Sequence, residues 1–168
     1  MKRVLVAYAS KMGATKEIAE AVGARLTERG CLAEVRPVET VNVVDDYDAV
    51  IVGSAVYAGR WRREAVRFVR RYRQQLATGK VWLFESGWLG KRPGSHVASA
   101  GGERQARRVN ALTPTVFGGR LDPDLATGLM DRIVASLTSG DERDWAEIRT
   151  WTDQVADALV PATHRHTP

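Results

Sequence analysis

The chain has 168 residues, of which 44% are hydrophobic and 27% are charged. This composition excludes a disordered or fibrous chain, and the length fits one ordinary domain better than two large ones. No apolar run approaches the roughly 20 residues of a membrane-spanning helix, and a single cysteine, Cys31, cannot form an internal disulfide. We therefore expect one cytoplasmic domain over residues 1–160, followed by a disordered tail over residues 161–168.

The net charge of +5 makes an anionic cofactor or an acidic partner plausible. Arginine dominates the basic residues, but we do not take this preference as evidence for nucleic-acid binding, and we expect no nucleic-acid partner. Peripheral contact with a membrane has no specific support in the sequence.

Short continuous apolar runs alternate along the chain with segments in which apolar residues recur every three or four positions. The runs predict strands at residues 4–8, 32–38, 49–53, 81–84 and 115–118. Apolar residues spaced by three or four positions predict helices at 14–29, 65–76 and 125–137, and residues 102–112 predict a basic helix. Asp144 and Glu147 form a capping-box pattern before a last helix. Strand and helix alternate about five times, which predicts a three-layer α/β fold with a parallel sheet between helices.

The segment after the first strand has the residue types of a phosphate cradle. Ser10 and Thr15 supply hydroxyls, Gly13 allows close backbone approach, and the segment leads directly into a helix N-terminus. The alternative is a simple turn in which Ser10 and Thr15 compete as helix N-caps. Neither the dinucleotide fingerprint nor the nucleoside triphosphate loop is present at this position.

The segment from Tyr8 to Thr15 resembles the phosphate-binding loop of flavodoxins, whose pattern is [ST]-x-x-G-x-T. The segment from Gly53 to Trp61 resembles the second flavin loop of that family. Together with the Asp144-Trp145 helix start, the spacing is most similar to the menaquinone-dependent protoporphyrinogen dehydrogenase branch. The resemblance covers about residues 3 to 160 and implies a flavodoxin-like fold with strand order 2-1-3-4-5.

The resemblance also implies which residues bind FMN. The phosphate would be held by Ser10, Thr15, Ser54 and the backbone of Lys11, Met12, Gly13 and Ala14. The ring would lie against the second loop, which comprises Ala55, Val56, Tyr57, Ala58, Gly59 and Trp61, and against Ser86, Gly87 and Trp88 after the fourth strand. Tyr57 occupies the place of a stacking aromatic. Alternatively, Tyr57 is an ordinary loop aromatic and Trp61 packs as a hydrophobic staple, whereas Trp82 and Trp151 are expected in the core.

The sequence departs from typical flavodoxins in its charge. Residues 60–73 contain seven arginines and one acid, Glu64. A partner docking there would be an acidic protein or an anionic membrane surface, and the alternative is a plain solvated helix face. Residues 119–140 lack the long basic insertion of the protoporphyrinogen branch, which weakens the case for a porphyrin substrate.

We expect an FMN-dependent oxidoreductase, a two-electron dehydrogenase that passes electrons to a quinone or similar acceptor. The alternatives are a flavodoxin-type electron carrier that serves a partner enzyme and a cofactor-free interaction domain. Because the flavin itself accepts hydride or electrons, no catalytic side chain and no metal site are expected. The histidines agree with this, since His96 is isolated and His164 and His166 lie in the tail.

Overall fold

The computed structural model describes residues 1–87, 97–118, 120–121, 140–141 and 143–160. Trp88, His96, the predicted helix at 125–137 and the tail at 161–168 lie outside these residues. Among the residues that are described, no helix is both long enough and apolar enough to cross a membrane.

Strands and helices alternate through the first two thirds of the chain. The strands are β1 (Arg3–Ala9), β2 (Leu32–Pro37), β3 (Ala49–Tyr57), β4 (Arg60–Trp61), β5 (Lys80–Gly87), β6 (Thr115–Gly118), β7 (Arg120–Leu121) and β8 (Gly140–Asp141). The helices are α1 (Ala14–Glu28), α2 (Arg63–Arg71), α3 (Arg73–Thr78), α4 (Ala100–Arg108) and α5 (Trp145–Leu159), with a short 3-10 turn at Val38–Thr40.

The central sheet has the order β2-β1-β3-β5-β6, and all neighbours in this order are parallel. The predicted order 2-1-3-4-5 is therefore confirmed, because β4 is a two-residue strand that pairs only with the end of β3. Strands β7 and β8 form a separate antiparallel pair.

Residues of β1 alternate between two cores, one on each face of the sheet. Val4 and Val6 pack in a cluster with α1 and α5, while Leu5 and Ala7 pack in a cluster with α2, α3 and α4. This alternation follows from the two-residue period of a strand and explains why every position of the run is apolar. Cys31 is buried in the first of these clusters. Trp82 and Trp151, which were expected in the core, pack against this cluster and are half-buried.

Three predicted elements had wrong boundaries. Strands β3 and β5 continue past their apolar runs, so Ser54 and Ser86 lie within the sheet instead of in loops. The predicted helix at 65–76 is divided at Tyr72 into α2 and α3. Tyr72 is buried and its hydroxyl donates a hydrogen bond to the Val41 carbonyl 3.2 Å away, so a tertiary contact accompanies the break.

Helices α1 and α5 are joined by ion pairs centred on Asp153. The Arg25 guanidinium donates to both carboxylate oxygens of Asp153 at 2.8 and 3.0 Å, and Arg29 donates to one of them at 3.0 Å. Hydrogen bonding from Arg25 is the main cause that lowers the pKa of Asp153 below its usual value. The same Arg25 side chain lowers the pKa of Glu28 on its own helix.

Asp153→Asn should lower the free energy of unfolding at pH 7, because it removes the negative partner of two arginines. Since the folded-state pKa of Asp153 is depressed, its contribution is present above the unfolded-state pKa and is lost as the pH falls through the folded-state pKa. The difference in the free energy of unfolding between wild type and variant, measured by urea unfolding, should therefore be smaller at about pH 3 than at pH 7. Asp46→Asn, at an exposed position with no ion pair among the described residues, is the control and should show no such pH-dependent difference. A difference for Asp153→Asn that is equal at both pH values would contradict the prediction.

Candidate functional site

Three chain segments meet at the carboxyl edge of the central sheet. They are the loop from β1 to α1, the turn from β3 to β4, and the end of β5. Because neighbouring strands β1, β3 and β5 are parallel, these segments lie side by side. In open parallel sheets this edge, where the order of connections reverses, is the usual place for a ligand.

Helix α1 begins without a side-chain cap. Its N-cap residue is Gly13, at a φ of 85°, in the left-handed region that favours glycine. The Ser10 hydroxyl accepts a hydrogen bond from the amide of Gly13 itself at 3.0 Å, two positions before Thr15, the first residue whose amide an N-cap side chain would satisfy. The first-turn amides therefore have neither a helical partner nor a side-chain cap, and the helix dipole adds positive potential there.

Thr15 is tied to the sheet instead of capping the helix. Its hydroxyl lies 2.7 Å from the Ser86 hydroxyl, and both residues are almost fully buried. The predicted alternative, in which Ser10 and Thr15 compete as N-caps, is therefore not what the structure contains. The hydroxyl pair connects the first turn of α1 to β5.

The β3–β4 connection is a two-residue hairpin. Ala58 and Gly59 both have positive φ, 48° and 72°, which fits the right-handed twist of the flanking strands. Tyr57, at the end of β3, pairs with Arg60 and is 43% exposed. The Lys11 ammonium lies 5.3 Å from the centre of the Tyr57 ring, so a cation–π contact links the first loop to the hairpin.

Ser54 is fully buried and already hydrogen-bonded within the protein. Its hydroxyl accepts from the Arg62 amide at 3.0 Å and donates to the Ala55 carbonyl at 2.9 Å. The hydroxyl thus fixes the backbone of Arg62, the residue directly before α2. Its contact with a phosphate stays a prediction. Such a contact would require the hydroxyl hydrogen, which now bonds the Ala55 carbonyl, to be shared with the phosphate.

The other predicted site residues differ in accessibility. Met12, Ala14 and Val56 are buried, and Gly13 and Ala55 are half-buried. Gly87 is the last residue of β5, where a Cβ atom would lie 2.9 Å from the Val56 carbonyl oxygen, so only glycine lets β3 and β5 pair there without a shift. Trp88 follows outside the described residues.

Trp61 belongs to a buried polar network that the sequence did not indicate. Its side chain is 5% exposed, and its indole N–H donates to Glu85 Oε2 at 2.7 Å. The second donor to Glu85 is Ser99, through its amide to Oε1 at 2.5 Å and through its hydroxyl to Oε2 at 2.8 Å. The carboxylate of Glu85, 1% exposed, therefore joins β4, β5 and the start of α4. This packing favours the structural alternative for Trp61.

Two glycines let α4 approach the hairpin closely. The Gly101 amide donates to the Gly59 carbonyl at 3.0 Å, and a Cβ atom at Gly101 would lie 2.8 Å from that oxygen. A Cβ atom at Gly102 would lie 2.2 Å from Glu85 Oε2. The N-terminus of α4 thus holds the hairpin that carries Tyr57 in place.

The Flavodoxin domain family model matches residues 5–142, well over half of the chain. The chain belongs to the flavodoxin domain family. This confirms the family resemblance and agrees with the order of the strands in the sheet. The narrower likeness to protoporphyrinogen dehydrogenases has no such support.

Solved structures show the same fold. A flavodoxin from the domain Archaea has a TM-score of 0.65 at 18% identity, with 94% of this chain and 98% of that chain covered. Two-electron reduced Megasphaera elsdenii flavodoxin has a TM-score of 0.54 at 24% identity, with 68% and 82% covered.

A larger protein contains a similar unit. The rubredoxin oxygen:oxidoreductase of Desulfovibrio gigas has a TM-score of 0.66 at 15% identity, with 95% of this chain covered. The chain spans only 36% of that oxidoreductase. No curated protein gives a significant match.

Glu85→Gln should lower the free energy of unfolding by about 1–3 kcal/mol, because an amide nitrogen replaces an acceptor that faces N–H donors in a buried site. Urea unfolding measures the change. Glu103→Gln, on the first turn of α4 and only half-buried, is the control and should stay within about 0.5 kcal/mol of wild type. Equal stability of Glu85→Gln and wild type would show that the network contributes nothing to the fold.

Proposed function

We propose that the chain binds FMN at the carboxyl edge of the sheet and transfers electrons through it. The observation that carries this proposal is the start of α1, where first-turn amides without a side-chain cap stand next to the hydroxyls of Ser10 and Thr15. Membership of the flavodoxin domain family supports the choice of FMN as the ligand. The fold is also shared over nearly the whole chain with the archaeal flavodoxin.

The residues present fit a phosphate monoester. A helix N-terminus binds anions through its free amides and its dipole. The acid in the first turn, Glu17, is paired with Arg143, which reduces the repulsion that an incoming phosphate would meet. Ser10, Thr15 and the amides from Ala14 onward would therefore hold the phosphate.

The remaining segments fit a flat aromatic ring. Tyr57 presents an exposed ring at the hairpin, while Ser86 and Gly87 bring the backbone of β5 to the same edge. When bound, the flavin supplies the chemistry, because its ring accepts and releases electrons. The protein would orient it with Tyr57 and keep the hairpin in place through Glu85 and Gly101.

A two-electron dehydrogenase that delivers electrons to a quinone or similar acceptor is a second candidate. Charge favours it: Lys11 is cationic beside Tyr57, and Arg60 is exposed on the opposite hairpin strand. Positive groups next to the ring stabilise its fully reduced, anionic form, which brings the two reduction steps closer together. In a carrier that exchanges single electrons, the potentials of the two reduction steps would be well separated.

Gly13→Ala should weaken FMN binding roughly five- to thirtyfold. Placing alanine in the left-handed region costs about 1–2 kcal/mol. The free loop avoids this strain by relaxing, but FMN binding requires the original conformation, so the strain energy is subtracted from the binding free energy. The matched control is Gly30→Ala, after the other end of α1. Both glycines have a φ of 85°, and at neither would a Cβ atom meet another atom within 4 Å.

Fluorescence titration of the flavin-free proteins measures the two affinities. The proposal predicts that Gly13→Ala loses affinity for FMN, whereas Gly30→Ala keeps the wild-type affinity. Wild-type affinity in Gly13→Ala, or an equal loss in Gly30→Ala, would place the phosphate elsewhere.

Lys11→Gln should lower the potential of the second reduction step by roughly 20–40 mV, since an exposed ion pair contributes up to about 1 kcal/mol. Anaerobic titration with dithionite in the presence of redox dyes of known potential, followed by visible spectroscopy, gives both potentials. Lys80→Gln, at the amino end of β5, is the control and should leave them unchanged. Widely separated steps in the wild type, unaffected by Lys11→Gln, would exclude the dehydrogenase and leave the carrier.

A further inference from the structure

Helix α2 presents a row of exposed arginines to solvent. Its inward side is formed by Ala65, Phe68 and Val69, which are buried against the sheet. Its outward side has arginines at positions i, i+4, i+7 and i+8, which place them on one face. We call this set the arginine face, and its members are Arg63, Arg67, Arg70 and Arg71.

The arginine face is poorly neutralised within the described part of the chain. Arg63, Arg67 and Arg70 form no ion pair there, and Arg71 lies over the ring of Tyr72. The acid of this helix, Glu64, is already bound by the Arg62 guanidinium at 3.2 and 3.3 Å. Like charges at i, i+4 destabilise a helix by a few tenths of a kcal/mol per pair. The contact of Arg71 with Tyr72 and the position of Arg70 and Arg71 in the last turn of the helix offset part of this cost. Arg63 and Arg67 have no such compensation among the described residues.

Helix α4 extends the positive surface. It packs beside α2 on the same side of the sheet and carries exposed Arg104 and Arg107. Arg107 lies 3.7 Å from Glu103, and the side chains are 71% and 46% exposed, so water screens this pair and it neutralises little. The positive surface thus spans two adjacent helices.

Helices α2 and α4 both begin beside the hairpin of the candidate site. Helix α2 begins directly after β4, where exposed Arg60 pairs with Tyr57 across the hairpin. The N-terminus of α4 is bonded to the same hairpin through Gly101 and Gly59. A partner seated on the two helices would therefore have its edge beside Tyr57.

From these contacts we infer that the arginine face, extended by α4, docks an acidic redox protein that exchanges electrons with the bound flavin. The inference rests on the proposed function for the flavin. Guanidinium groups bind carboxylates with two parallel hydrogen bonds, and a field of one sign speeds the encounter with an oppositely charged protein.

The composition of the surface favours a protein over a membrane. Among the described residues, none of the exposed large hydrophobic side chains lies in α2 or α4. A helix that binds a membrane surface inserts large apolar side chains beside its basic ones. Charge without such anchors suits an acidic protein surface.

The test is the rate of electron transfer from a reduced plant-type [2Fe–2S] ferredoxin, an acidic one-electron donor, to the FMN-loaded protein. In this step the cluster loses one electron and the flavin gains it. The variant is the triple substitution Arg63→Gln, Arg67→Gln and Arg70→Gln. The control is Lys2→Gln, Lys80→Gln and Arg149→Gln, three exposed basic residues outside α2 and α4 whose loss changes the net charge equally.

Stopped-flow measurement at low salt should give a second-order rate that falls about tenfold or more in the arginine variant and less than about twofold in the control. The wild-type rate should also fall steeply as salt is added. Equal effects of the two triple variants, or a wild-type rate that does not depend on salt, would overturn the docking inference.

Two further readouts separate the possible failures. Flavin content and reduction by dithionite should be normal in both variants, and a wild type that retains no FMN would refute the proposed function instead. Sedimentation with phosphatidylglycerol vesicles checks the lipid alternative. Vesicle binding that only the arginine variant loses, with no change in its ferredoxin rate, would assign this face to a membrane and overturn the inference.

Discussion

The start of α1 is the constraint on which the rest of the site depends. Gly13 turns the chain in the left-handed region, and the helix begins with no side chain on its first amides. The Thr15–Ser86 hydroxyl pair then fixes that first turn against β5. At the far end, Asp153 holds Arg25 and Arg29 and so joins α1 to α5. The position of the amides relative to the sheet edge is therefore set by bonds at both ends of one helix.

The fold was predictable because its signals are local. Strands buried on both faces are continuous apolar runs, and helices on their surfaces show stripes at three- and four-residue spacing, so element order and sheet order followed. The ends of β3 and β5 were not predictable in this way. Ser54 and Ser86 are small polar residues that favour a loop in sequence, yet each is buried because another group within the protein bonds its hydroxyl. The division at Tyr72 likewise coincides with a contact to Val41, distant in the chain.

The same distinction applies to the site. The first loop lies within six consecutive residues, so its pattern was visible in the sequence. The Glu85 network was not, because Trp61 and Ser99 are 24 and 14 positions away from Glu85 and no spacing rule links them. The turn at Ala58 is held by a similarly distant contact, the hydrogen bond from the Gly101 amide to the Gly59 carbonyl. The basic charge of residues 60–73 was visible too, whereas its continuation onto α4 became apparent only from the packing of the two helices.

The central claim is that the amides and hydroxyls at the start of α1 bind the phosphate of a flavin. The most direct measurement compares the affinities of the flavin-free wild-type protein for FMN and for riboflavin, which differ only in that phosphate, by isothermal titration calorimetry. Each charge-assisted hydrogen bond is worth about 1.5–3 kcal/mol, so FMN should bind at least roughly ten- to a hundredfold more tightly. Equal affinities, or tighter binding of riboflavin, would contradict the account.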